Sequence, residues 1–89
     1  MRAVVSVVGK DRVGILSGVS SACAEAHMNI TDVTQSILQD MFVMIMMIES
    51  TEDSTPLAQF AAELSEMGKS KNLSIHVMHE DIFNAMHRI

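Results

Sequence analysis

Tryptophan and tyrosine are absent, and only three phenylalanines occur among 89 residues. Stacking on bases or sugar rings needs aromatic faces, so it has few candidates here. Positive charge is also scarce: six Lys and Arg face eleven Asp and Glu, for a formal net charge of −5. Proteins that grip nucleic acid neutralise phosphates with cations, so direct nucleic-acid binding is not expected. The single cysteine, Cys23, excludes an internal disulfide and a cysteine-rich zinc site. A reduced, cytoplasmic setting is the expectation, since no positively charged leader precedes a signal-type apolar core. The longest apolar run, Met41 to Ile48, has eight residues, far below the ~20 that span a bilayer as a helix.

What the chain does have is apolar volume. Hydrophobic residues make up 48% and charged ones 19%, which predicts a packed core rather than disorder. The length predicts one domain over residues 1–89, with a core at 3–79 and a helical extension at 80–89. A chain this short buries only roughly 60–65% of its unfolded surface, so association with a partner is a ready source of stability. Nine methionines supply adaptable filling in place of aromatics.

The periodicity alternates between two kinds of element. Ala3 to Val8 is short and β-branched and reads as a buried strand. Gly9-Lys10-Asp11-Arg12-Val13-Gly14 is a polar turn, and from Val13 the spacing becomes helical. Ile15, Val19, Ala22, Cys23 and Ala26 share one helical face. Asp11 or the turn beside it is a candidate cap. The helix is expected to stop near His27-Met28-Asn29, with Asn29 taking the left-handed conformation. Ile30 to Leu38 reads as a second strand, Gln39-Asp40 as a two-residue turn, and Met41 to Ile48 as a third strand. Pro56 suits the first turn of a second helix, with Thr55 or Ser54 before it. That helix carries Leu57, Phe60, Ala61, Leu64 and Met67 on one face, and Gly68, Lys69 and Lys71 mark its end. Ser74 to His79 is a fourth strand, and Glu80-Asp81 opens a short last helix.

The order β-α-β-β-α-β is the split βαβ pattern of the ferredoxin-like fold. The expected architecture is therefore α+β: an antiparallel sheet in strand order 4-1-3-2, two helices on one face, and a short C-terminal helix. Such a sheet should alternate apolar and polar side chains on its central strands, yet Met41 to Ile48 is apolar on both faces. Four uncovered side chains of this kind correspond to roughly 6–12 kcal/mol of burial. A second, identical chain covering that face is the simplest answer; the competing one is that Ile82–Ile89 folds back over it.

The polar turn is the place where chemistry could occur. Backbone N–H groups at a helix start favour an anion, Lys10 and Arg12 add cations, Asp11 can accept from an ammonium group, and Gly14 leaves the backbone open. Together these suit an amino acid; the alternative is a plain solvated turn. No catalytic constellation is evident. Ser17, Ser20 and Ser21 lack a nucleophile elbow. Cys23 is placed inside an apolar helix face, one turn from His27. His76 and His79, three apart on a strand, point to opposite faces and make poor co-ligands. No metal or other cofactor is expected.

Gly9-Lys10-Asp11-Arg12-Val13-Gly14-Ile15-Leu16, followed by Asn29-Ile30-Thr31-Asp32-Val33 and Gln35, resembles the signature of the ACT domain. The likeness runs from Val4 to about His79 and is closest to short stand-alone members and to the ACT halves of the glycine cleavage system transcriptional repressor. It implies a non-enzymatic regulatory module that pairs as a homodimer or higher homo-oligomer and binds a small ligand, typically an amino acid, near the first strand-to-helix turn and a subunit interface. Carried onto this chain, the ligand site would comprise Lys10, Asp11, Arg12, Val13, Gly14 and Ile15, joined by Asn29, Ile30 and Asp32. Val13 stands where the family usually has Pro, and His27-Met28 replaces the usual Gly before Asn-Ile. The alternatives are a ligand-free subunit that docks on an enzyme or regulator, and a metal-binding protein using the histidines.

Overall fold

A computed structural model describes residues 1–10 and 13–86. Along the chain run β1 (Arg2–Gly9), α1 (Ile15–Glu25), β2 (Asn29–Leu38), β3 (Met41–Glu49), α2 (Leu57–Ser70), β4 (Ser74–His79) and α3 (Glu80–Met86). The strands form one antiparallel sheet in the order β2-β3-β1-β4, as the sequence pattern requires. The two most apolar strands occupy its centre.

One face of the sheet carries the core. Ala3, Val5 and Val7 of β1 and Phe42, Met44, Met46 and Ile48 of β3 pack against Ile15, Val19 and Cys23 of α1 and Phe60 and Leu64 of α2. The other set on β3, Met41, Val43, Ile45 and Met47, turns the opposite way and is half-buried. Val4 also points away from α1 and α2, yet it is only 1% exposed. The reason is α3, which packs on β1 and β4. Arg2 holds its first residue: Nε donates to Glu80 Oε2 at 2.5 Å and Nη2 to Glu80 Oε1 at 3.2 Å. The tail therefore folds back over one end of the open face. Residues 87–89 of the expected cover, with His87 and Ile89, lie outside the described residues.

Both long helices end in the same way. The His27 N–H donates to Ala24 O at 3.1 Å and the Met28 N–H to Cys23 O at 2.8 Å, with His27 at φ 59°. The Asn72 N–H donates to Lys69 O at 3.5 Å and the Leu73 N–H to Gly68 O at 2.8 Å, with Asn72 at φ 58°. These are Schellman motifs, each followed by a buried apolar residue, Met28 or Leu73. Two local expectations are corrected. The left-handed residue is His27, not Asn29, because Met28 must be the one that turns inward. Gly68, Lys69 and Lys71 do mark the end of α2, which closes at Ser70; glycine stands at 68 because a Cβ there would lie 2.8 Å from the Leu73 carbonyl oxygen. Pro56 precedes α2 in extended backbone at ψ 140°, with no side-chain cap. Ser54 and Thr55 tie back to the end of α1 instead: Ser54 Oγ donates to His27 O at 2.5 Å and the Thr55 N–H to Ala26 O at 2.9 Å.

Candidate functional site

The end of the sheet where β1 finishes gathers three connections: the β1–α1 turn, the β2–β3 hairpin and the α2–β4 turn. Gly9 lies flat beneath Leu73, and a Cβ on it would overlap Leu73 Cδ2. Around this contact the surface opens into a cleft of about 480 Å³. Val8, Gly9, Lys10 and Met41 form one wall, and Lys71, Asn72 and Ser74 the other. A second hollow of about 290 Å³ lies between Val13 and Ile15 on one side and Lys71 and Leu73 on the other. Lys71 borders both. The larger cleft falls within the range of small-ligand pockets, about 300–1,000 Å³.

Gly14 is the residue preceding α1. It sits at φ 75°, with no described residue within 4 Å of where a Cβ would stand. Glycine is needed there for backbone conformation, not for space. Among the described residues no side chain caps α1, whose first turn lies next to the smaller hollow.

The expected site residues divide into two sets. Lys10, Val13 and Ile15 border the two hollows, with Gly14 beside them. Asp11 and Arg12 lie outside the described residues. Asn29, Ile30 and Asp32 stand elsewhere. Asn29 pairs with Glu49, and Glu49 pairs with Arg2, so the start of β2 lies level with the start of β1. Gly9 is seven residues further along, roughly 23 Å at strand rise. Within one chain the two sets do not meet. Asp32 Oδ1 accepts from the Val33 N–H at 2.9 Å, beside a bulge between Ile30 and Asp32.

Sequence spacing missed Met41, Lys71, Asn72 and Ser74. Topology could have found them: in βαββαβ order the ends of β1 and α2 and the starts of β3 and β4 share one edge of the molecule.

The charges at this edge are distinctive. At the opposite end of the sheet Arg2 is paired with Glu80, and near this edge Lys69 Nζ lies 3.9 Å from Glu66 Oε1. Among the described residues, Lys10 and Lys71 have no ion-pair partner. The cleft offers cations, an amide and a hydroxyl above apolar walls, and its described lining contains no carboxylate, thiol or imidazole. Such a lining can hold an anion.

The remaining chemical candidates are structural. Cys23 is fully buried, its thiol pKa pushed up to about 11 by burial. Among the described residues it makes no hydrogen bond to His27. His79 Nδ1 accepts from the Asp81 N–H at 3.0 Å and so closes the start of α3. Among the described residues no three of His, Cys, Asp and Glu cluster as metal ligands.

Comparison with known proteins agrees with this architecture. The family model of the ACT domain matches residues 2–78. A UPF0237 protein of Listeria monocytogenes is 44% identical over 89 residues, covering 100% of both chains. The structure of an ACT domain protein from Streptococcus pneumoniae superposes with a TM-score of 0.83 at 36% identity, covering 98% of each chain. A putative glycine cleavage system transcriptional repressor superposes with a TM-score of 0.73 at 24% identity, over 85% of this chain and 43% of that one; at that identity the likeness concerns the fold.

Proposed function

This chain belongs to the ACT domain family, and on that premise we propose that it senses an amino acid or similar small metabolite at the β1–α1 turn, at an interface between two copies. It acts by binding rather than catalysis, in the cytoplasm, as a regulatory partner of an enzyme or regulator. What carries this reading is the division of the site. Lys10, Val13, Gly14 and Ile15 stand at one end of the sheet and Asn29, Ile30 and Asp32 at the other. Only a second copy, with the start of its β2 against the first copy's turn, unites the two sets.

The open sheet face supports pairing as well. Val43, Ile45 and Met47 are half-buried in the isolated chain, and a partner would remove the remaining apolar area from water. A ligand shared between copies binds the pair better than the single chain, and that difference in affinity is what converts binding into a signal.

Calorimetry against the common amino acids, with sedimentation run in parallel, tests the reading. One of them is expected to bind and to tighten the dimer. Arg12→Ala is expected to weaken that binding. Gly14→Val should act both through the site and through strain at φ 75°, whereas Gly14→Asn tolerates that conformation and isolates the effect on the site. No heat from any of them at millimolar concentration would defeat the proposal.

A further inference from the structure

We propose that the α2–β4 turn supplies the anion-recognising half of the ligand site: Lys71, with Lys10 across the cleft, holds the carboxylate or phosphate group of a small organic anion. The apolar remainder of that anion lies against Val8 and Met41. The inference rests on the reading of the β1–α1 turn as a ligand site and adds to it the chemical class of the ligand.

Four observations converge. First, the two hollows at this edge share Lys71 as a lining residue. Second, the chain is acidic overall, and Arg2 and Lys69 already lie beside carboxylates. Lys10 and Lys71 do not, among the described residues, and they flank one cleft. An anion bound between two like charges that line one cavity would offset their repulsion. Third, Gly18 makes room for the arrangement: Lys71 Nζ lies 3.4 Å from where a Cβ on Gly18 would stand. The α2–β4 turn thus lays its cation along the first turns of α1, where the helix dipole favours negative charge. Fourth, Asn72 and Ser74 line the same cleft, and their side chains make no intramolecular hydrogen bond among the described residues. They are donors held ready for an oxygen-rich group.

Lysine presents a compact point charge rather than the planar fork of arginine. It therefore accepts either carboxylate or phosphate, and the experiment separates the two. The full-length, isotope-labelled protein is titrated separately with succinate, inorganic phosphate and neutral succinamide at constant ionic strength, and backbone amide shifts are followed. The expected result is a saturable response at Gly9, Lys10 and residues 72–74 to one or both anions and none to succinamide; the tighter anion names the class. Lys71→Gln should weaken the response by roughly tenfold or more, the usual consequence of losing a charged hydrogen bond. Lys69→Gln, two residues earlier in the last turn of α2 and beside Glu66, should change it by less than about twofold. Both lysines are exposed, so neither variant should alter the melting curve.

A non-saturating response, or equal affinity in wild type and Lys71→Gln, overturns the inference. Amino-acid binding that survives Lys71→Gln unchanged overturns it too, while leaving the sensing reading intact. Saturable anion binding at residues 72–74 with no amino-acid heat does the reverse: it supports this inference and defeats the sensing reading.

Discussion

Lys71 reaches from the turn after α2 to Gly18 in α1, its Nζ 3.4 Å from the position of a Gly18 Cβ. The neighbour there is the far end of a flexible side chain. At Gly68 the corresponding neighbours are the Leu73 carbonyl oxygen at 2.8 Å and Ile75 Cγ1 at 3.0 Å. The Leu73 backbone is fixed by its N–H bond to Gly68 O at 2.8 Å.

The two helical glycines should therefore respond in opposite directions to the same substitution. Gly18→Ala gains helix propensity, about 0.5–1 kcal/mol, and displaces only a lysine tip. Gly68→Ala gains the same propensity but must push backbone aside, an overpacking cost of about 1–3 kcal/mol. Thermal melts should show Gly18→Ala up by a few degrees and Gly68→Ala down. A fall for Gly18→Ala would mean that the Lys71 position is fixed more firmly than its exposure implies.

His27 carries a non-glycine side chain at φ 59° in the Schellman turn that ends α1. A left-handed conformation costs an L-residue about 1–2 kcal/mol, offset in part by the greater freedom that glycine has when unfolded. His27→Gly is thus expected to stabilise the protein by about 0.5–1 kcal/mol, read as a higher urea midpoint. His27→Ala, which keeps a Cβ, should give no such gain. Equal midpoints for the two variants would show that the turn is not under this constraint.

The contrast between His27 and Asn29 shows how much of the fold the sequence made legible. Period and composition located every strand and helix and the sheet order, because the central strands and the two long helices had to hide an apolar face, even though β2 stays almost wholly exposed. The exact helix ends depended on which residue turned inward. His27-Met28 and Asn72-Leu73 are the same signal, a polar residue followed by an apolar one, and the apolar member decides the register. The site was legible only in part. Lys10 to Ile15 formed a contiguous motif. Lys71 is distant in sequence and lines the same cleft as Lys10 only because the chain returns through β4 alongside β1. The distance of Asn29 from the turn is a consequence of strand register, which a linear motif does not express.

Cys23 gives a pH signature. Burial raises its thiol pKa from 9.0 to about 11, so between these values the folded chain holds a proton that the unfolded chain has released. The stabilising contribution is complete below about pH 9 and is lost as pH rises through 11, up to about 3 kcal/mol. Denaturant midpoints measured from pH 7.5 to 10.5 should fall more steeply for wild type than for Cys23→Ala. The folded thiol should also resist alkylation at pH 8 until the protein is unfolded. Parallel pH profiles for the two proteins would contradict this account.

Ile45 separates association from folding. Its side chain lies on the face away from α1 and α2, half-buried between Ser6 of β1 and Thr34 of β2, and it takes no part in the core beneath the helices. Lysine at this position can lay its methylenes on the sheet and keep its ammonium group in water, so the single chain should lose less than about 1 kcal/mol. Between two paired faces the same ammonium group would be desolvated without a counter-charge, which costs several kcal/mol. Sedimentation should therefore find wild type associated at micromolar concentration and Ile45→Lys monomeric, with nearly unchanged denaturation curves. If the variant associates as well as wild type, the partner does not lie on this face. Monomeric wild type would mean that α3 and the half-burial already present suffice to protect it.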